Sequence, residues 1–239
     1  MALPKLGIPT YNLTLLSGEE IKFRPFLVKE EKALLIAAES EDPKMVVDAI
    51  RQTISNCLIS DNKVDVDEMP MYELEWILLN IRMKSVGETS KFVVTCKKCK
   101  EKNPTSINLE KCEVMNKENT GMKKIMLTDD VGIVVKHIPY KVLNNKDFLD
   151  TPVEKSSTAI FDFILDSIES IFDKNQVYKK DTFSRDELKD FVDSMSQDQL
   201  LKIVDYIQNP PKIRYNLEIK CRSCENVMNR TLEGISDFF

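Results

Sequence analysis

The chain of 239 residues has a single histidine, His137, and only six glycines. It carries neither GxGxxG nor GxxxxGK[ST], so the usual backbone cradles for phosphate are absent. HExxH and GxSxG are missing too, and one histidine leaves little room for histidine-based acid–base or nucleophilic chemistry. No uncharged apolar run approaches the roughly 18 residues a membrane span needs. The opening MALPKLGIPTYNLTLLSGEE lacks a basic region followed by an apolar stretch of signal-peptide length. A cytoplasmic protein with no membrane partner is expected. Charge of one sign is modest: a net charge of −5 gives no global pull toward nucleic acid or anionic lipid, although a local basic patch remains compatible with it.

What is present is ordinary for a folded protein, with 42% hydrophobic and 31% charged residues and enough length for one or two domains. YNLTLLSGEEIKFRPF alternates apolar and polar residues around Ser17-Gly18, which predicts a hairpin of Tyr11–Leu16 with Ile21–Phe26. LVKEEKALLIAAESED predicts a helix with Val28, Ala33, Leu34 and Ala37 on one face. In DPKMVVDAIRQTISNCL, Asp42 is placed to cap a helix and Pro43 to occupy its first turn. Val46, Val47, Ile50, Ile54 and Cys57 recur there at helical spacing, which makes Cys57 a core residue. A third helix is expected in PMYELEWILLNIRMKSVG, with a stripe of Leu74, Ile77, Leu78 and Ile81, Trp76 packing beside it, and Gly87 as its stop.

Extended pairs follow: TSKFVVT with PTSINLE, then KIMLT with GIVVKHI around Asp129-Asp130. SSTAIFDFILDSIESIF reads as a helix with Ile160, Phe161, Ile164, Leu165, Ile168 and Phe172 on its apolar face. Two capping boxes, Ser184 with Glu187 and Ser196 with Gln199, each open a short helix, and Asn209-Pro210-Pro211 ends the second. The acidic loop DNKVDVDE lacks the central glycine and terminal glutamate of a calcium loop and reads as solvated surface. His137 is expected as a satisfied or solvent-facing strand residue, and Cys112 as a free thiol.

The chemistry lies in KFVVTCKKCKEKNPTSINLE and RYNLEIKCRSCENVMNRTLEG. Each is an alternating strand, a CxxC turn, a few polar residues and a return strand. Thiols stay reduced in a cytoplasm, so such pairs read as metal ligands or redox groups rather than disulfides. Cys96, Cys99, Cys221 and Cys224 are four candidate ligands on two similar tips, the arrangement of a zinc ribbon, and tetrahedral Zn2+ takes four thiolates in closed structural sites. Lys97, Lys98, Lys100, Lys102, Lys220 and Arg222 offset the negative charge of such a centre. About 120 residues separate the two pairs, against roughly 15–20 in a compact ribbon. Loop-closure entropy grows slowly with length, and metal binding supplies on the order of 10 kcal/mol, so this separation is no obstacle. Two independent redox motifs, hairpins that pack without metal, and iron–sulfur ligation remain open.

GEEIKFRPFLVKEEKALLIAAES and CRSCENVMNRTLEGISDFF resemble the baseplate hub and hub-assembly family of T-even-like contractile-tailed bacteriophages. The resemblance implies a structural or assembly role in the tail baseplate, with other hub and tail proteins as partners, no catalysis and no small-molecule substrate. It implies assembly in the host cytoplasm and a possible place in the virion tail. In that light Arg24, Pro25 and Phe26 are candidates for a docking surface. Phe238 and Phe239 either anchor in a partner or fold onto their own core. The alternative is a zinc-ribbon adaptor for nucleic acid or a polymerase; the knuckles are basic, but aromatic residues are not interleaved with the lysines. The expected fold is α+β, with β-hairpins and helical segments. Its parts are residues 1–88, a composite ribbon of 89–111 with 212–239, and a hairpin-plus-helix segment of 112–211.

Overall fold

Alternation around Ser17-Gly18 folds into the expected hairpin. Strand β1 (Tyr11–Thr14) pairs antiparallel with β2 (Glu20–Phe23), placing Leu13 opposite Ile21. The buried Glu73 holds the turn, its carboxylate accepting the N–H groups of Leu16 and Ser17 at 3.0 and 2.7 Å. This computed structural model describes residues 6–40, 42–59, 64–145, 157–234 and 238.

Helix α1 (Val28–Glu39) forms where expected but turns a different face inward. Glu30, Leu34 and Ala37 face the interior, whereas Val28 is 78% exposed and Ala33 also lies outside. An ion pair sets the rotation. The Arg24 guanidinium donates to one Glu30 oxygen at 2.9 Å and the Leu27 N–H donates to the other at 2.9 Å, drawing the carboxylate in. Leu35 and Ile36 are consequently left exposed.

Helix α2 (Pro43–Cys57) starts at Asp42, whose side chain accepts the Lys44 N–H at 2.9 Å. It buries Ile50, Ile54 and Cys57. Helix α3 (Met71–Val86) buries Leu74, Ile77, Leu78 and Ile81 and gives way to Gly87 at φ +95°, a conformation glycine adopts without steric cost. Trp76 packs partly buried beside that stripe, its indole N–H donating to the Thr14 carbonyl at 3.1 Å.

Strands β3 (Thr89–Thr95) and β4 (Lys102–Asn108) form the first cysteine hairpin, and β5 (Glu113–Met115) follows. Next come β6 (Lys123–Met126), β7 (Gly132–Val135) and the short helix α4 (Tyr140–Asn145). Helix α5 (Ser157–Ser167) is shorter than the apolar spacing predicts, because Ile168–Phe172 is a strand, β8. Ile164, Ile168 and Phe172, four apart, fit a helix, but Ile168, Ser170 and Phe172 also alternate inward, and hydrogen bonding to β7 decides between the two periods. Phe161, expected on the buried face, is 43% exposed. Gly132 makes the β7–β8 approach possible: a Cβ there would overlap Phe172 Cζ.

Strand β9 (Val177–Lys179) completes a sheet of order β6-β7-β8-β9. Helices α6 (Arg185–Asp193) and α7 (Gln197–Gln208) both begin with the anticipated capping boxes. Strands β10 (Lys212–Lys220) and β11 (Val227–Glu233) make the second cysteine hairpin, and β10 also pairs with β5.

Helices and small antiparallel sheets thus give an α+β fold. It divides into two compact units: Met1–Val66, Tyr72–Met115 and Lys212–Phe239 in one, Asp67–Met71 and Asn116–Pro211 in the other. The first contains a core of Leu79, Ile107, Leu109, Ile213, Leu232 and Phe238. In the second, Ile133, Val135, Ile164, Ile168, Ile203 and Tyr206 are at the centre. Among the described residues no helix is long and apolar enough to cross a membrane.

Candidate metal centre

Each cysteine pair sits on a turn built by the same two hydrogen bonds. In the β3–β4 hairpin the Lys100 N–H donates to the Cys96 carbonyl at 2.9 Å and the Cys96 N–H to the Glu101 carbonyl at 2.8 Å. In the β10–β11 hairpin the Glu225 N–H donates to the Cys221 carbonyl at 3.0 Å and the Cys221 N–H to the Asn226 carbonyl at 2.9 Å. Both turns need one left-handed residue directly after the second cysteine, and both use a non-glycine there, Lys100 at φ +65° and Glu225 at φ +58°. That backbone costs on the order of 1–2 kcal/mol per residue. Strand residues follow each pair, unlike the helix that follows a thioredoxin-type motif.

The four sulfurs of Cys96, Cys99, Cys221 and Cys224 all lie within 4.8 Å of one another. Across the hairpins, Cys96 Sγ is 3.8 Å from Cys224 Sγ and Cys99 Sγ is 3.6 Å from Cys221 Sγ. A disulfide would need about 2.05 Å. A tetrahedron of about 2.3 Å metal–sulfur bonds has edges of about 3.8 Å. The set therefore fits one metal ion at its centre. Cys96 and Cys221 are buried, Cys224 is half-buried and Cys99 faces solvent.

Electrostatics divide the thiols. Backbone N–H groups of Cys224 and Ser223 hold Cys221 down to about 6. The Glu101 N–H lowers Cys99, but proximity to Cys224, desolvation and proximity to Cys221 push it up to about 12. Four thiolates at this separation repel, so protons must remain on some of them unless a divalent cation takes their place. Lys97, Lys98, Lys100 and Arg222 are exposed around the tips.

A family model described as T4 bacteriophage base plate protein matches residues 8–239. The chain belongs to this family. Neither curated proteins nor solved structures give a match. In this base plate protein the remaining candidate residues take the following places. Arg24 is largely buried against Glu30, also donating to the Pro25 carbonyl at 2.9 Å and toward Cys57 Sγ at 3.7 Å. Pro25 and Phe26 are half-buried, and the Phe26 N–H donates to Ser85 Oγ at 2.9 Å. Phe238 is 3% exposed within the core of the first unit, and its carbonyl accepts from Ser90 Oγ at 3.4 Å. Phe239 lies outside the described residues.

The other thiols and the histidine of the base plate protein are held in the fold. Burial pushes Cys57 and Cys112 each up to about 11. His137 stacks on Tyr206 with ring centroids 4.2 Å apart and donates to the Asn119 carbonyl at 2.9 Å; burial lowers its pKa. A cleft of about 440 Å³ in the second unit is lined mainly by apolar side chains, among them Ile171, Phe172, Phe183 and Phe191. Its carboxylates are engaged locally: Asp173 accepts from Asn175, Gln176 and Tyr178, and Glu187 from Ser184.

Asn103 is the residue that sequence reasoning missed. It is 1% exposed, and its amide nitrogen donates to the Glu101 carbonyl at 3.0 Å, the Val94 carbonyl at 3.4 Å and Cys221 Sγ at 3.6 Å. Its oxygen accepts the Arg222 N–H at 2.9 Å. The sequence places Asn103 in the polar link after CKKC, whereas β4 begins at Lys102. The available signal was register: Asn103 shares the inward set with Ile107, so a buried amide was due beside the sulfurs.

Proposed function

We propose that this chain is an architectural or assembly component of the tail hub, clamped by one zinc ion and acting through contact with other hub and tail proteins. The convergence of Cys96, Cys99, Cys221 and Cys224 carries this reading, because it joins two segments far apart in sequence at one closed site. Zinc bound by four thiolates supplies a redox-inert cross-link. The two CxxC turns present the sulfurs, and the surrounding lysines and Arg222 offset the negative charge. Family membership supports the base plate setting. Val28, Leu35 and Ile36 of α1 leave apolar surface available to a neighbour. No catalytic step is assigned to the chain.

Metal analysis of the natively folded protein should find one zinc per chain; absence of stoichiometric metal refutes the clamp. Quantitative mass spectrometry of infectious particles beside hub intermediates tests the setting. A fixed ratio to hub proteins in both marks a subunit, and presence in intermediates alone marks an assembly factor. Absence from both rejects the hub reading. The exposed Lys97, Lys98, Lys100 and Arg222 favour nucleic-acid binding as the second reading. Affinity for single-stranded DNA or RNA that falls steeply with salt would support it.

A further inference from the structure

We propose that Asn103 is a positioning residue that docks the second cysteine knuckle on the first and orients Cys221 toward the ion. The inference rests on the zinc reading for its metal-binding half; the docking half stands on the hydrogen bonds alone. Asn103 is in β4, opposite Val94 of β3, and its side chain reaches across to the β10–β11 turn. One end of the amide accepts from the Arg222 backbone and the other donates to the Cys221 sulfur, so two adjacent residues of the far knuckle are fixed by one planar group. The same nitrogen is anchored to its own hairpin through the Val94 and Glu101 carbonyls. A buried amide satisfied at both ends resists rotation, since turning it leaves donors facing donors.

The device is one-sided. Asn103 lies seven positions after Cys96, and the same offset from Cys221 is Met228, whose side chain offers no N–H donor. The first hairpin can therefore hold the second in register before any ion arrives, and the ion meets sulfurs already gathered. An N–H donor to a ligand sulfur also tunes that ligand, as other supporting partners of metal sites do.

The test uses the full chain and two variants, Asn103→Asp, which keeps the acceptor for the Arg222 N–H but removes the donor to Cys221, and Asn103→Leu, which removes both. Zinc affinity is measured by chelator competition and sulfur geometry by the thiolate-to-cobalt absorption of the Co2+-loaded form. Asn103→Asp should bind zinc about 10–100-fold more weakly than wild type and shift the cobalt band. In metal-stripped protein the Arg222 amide should exchange slowly in wild type and Asn103→Asp, and at the free-peptide rate in Asn103→Leu. Zinc affinity within twofold of wild type together with an unchanged cobalt band in Asn103→Asp overturns the orienting role. Free-peptide exchange of Arg222 in stripped wild type overturns the docking role. Wild type that takes up neither metal overturns the zinc reading and the orienting role together, while exchange at Arg222 still decides docking.

Discussion

Replacing Arg24 with alanine should destabilise the first unit by about 3–5 kcal/mol, the usual result of leaving one member of a buried ion pair alone. The partner left behind is Glu30, whose side chain is 2% exposed, while that of Arg24 is 12% exposed. Lys29 lies 3.3 Å from the same carboxylate but is 69% exposed, so solvent screens most of its help. The Leu27 N–H still donates to Glu30, which places the expected loss nearer 3 than 5 kcal/mol. Urea unfolding followed by Trp76 fluorescence reads this unit, since the chain has one tryptophan and Trp76 packs, partly buried, against its core. The pair Arg24→Met with Glu30→Leu should recover stability to within about 1 kcal/mol of wild type, because it removes the charge as well as its partner. Acid supplies a second readout. In wild type, burial raises the Glu30 pKa, but Arg24 and the Leu27 N–H outweigh it and hold the carboxyl below its ordinary value. Its contribution is present above the unfolded value of about 4.3 and lost as pH falls through the folded value. Without Arg24, burial dominates and the order reverses: the folded pKa rises, and stability is full below about 4.3 and lost as pH climbs. The deficit should be widest near neutrality, narrow toward the unfolded value of about 4.3, and close only as pH falls through the lower folded value of the wild type. A loss under about 1 kcal/mol at neutrality, or a gap that ignores pH, refutes the reasoning.

Phe238→Ala should cost about 3–5 kcal/mol in thermal or urea unfolding, the range for emptying a buried phenylalanine site; a neutral result would return Phe238 to the role of partner anchor. Gly132→Ala should lower stability by at least about 1–3 kcal/mol, since the new methyl also meets the Ile125 carbonyl oxygen at 2.9 Å, and circular dichroism melts would register it. Burial pushes Glu75 up to about 7, with Lys212 opposing. Its neutral form stabilises the fold below the unfolded value of about 4.3, and that contribution is lost as pH rises through 7. Glu75→Gln should therefore remove a decline on the order of 2 kcal/mol between pH 5 and 8, and an unaltered stability profile would refute the assignment.

Local signals were the legible ones. The boxes at Ser184 and Ser196 close within four residues, so nothing distant can alter them, and both side-chain oxygens accept the expected N–H at 3.2 and 3.3 Å. Residue type and spacing likewise singled out the two CxxC turns, because two similar turns need the same short pattern, and their four sulfurs do gather within 4.8 Å. Longer-range choices escaped. Strands β5 and β9 have three residues each, too few to show a period, and exist because β10 and β8 offer them edges. Ile168–Phe172 satisfied two periods until β7 chose one. The face of α1 was set by Arg24, outside the helix, and Asn103 acquires its purpose only from a knuckle more than a hundred residues away.

Cys99 and Cys221 are 122 positions apart, and the chain is made from one end. At roughly 5–20 residues per second, translation leaves the first knuckle waiting about 6–24 s for its counterpart. During that interval Cys96 and Cys99 are a nascent pair of thiols with no fellow ligands, open to oxidation or to a passing metal. Residues 116–211 leave the ribosome in the meantime and can settle before the ribbon closes. A chain whose synthesis stops before Cys224 has only part of the four-cysteine cluster, so, with zinc as the proposed clamp, metal occupancy would distinguish polypeptides translated past that point from abortive products.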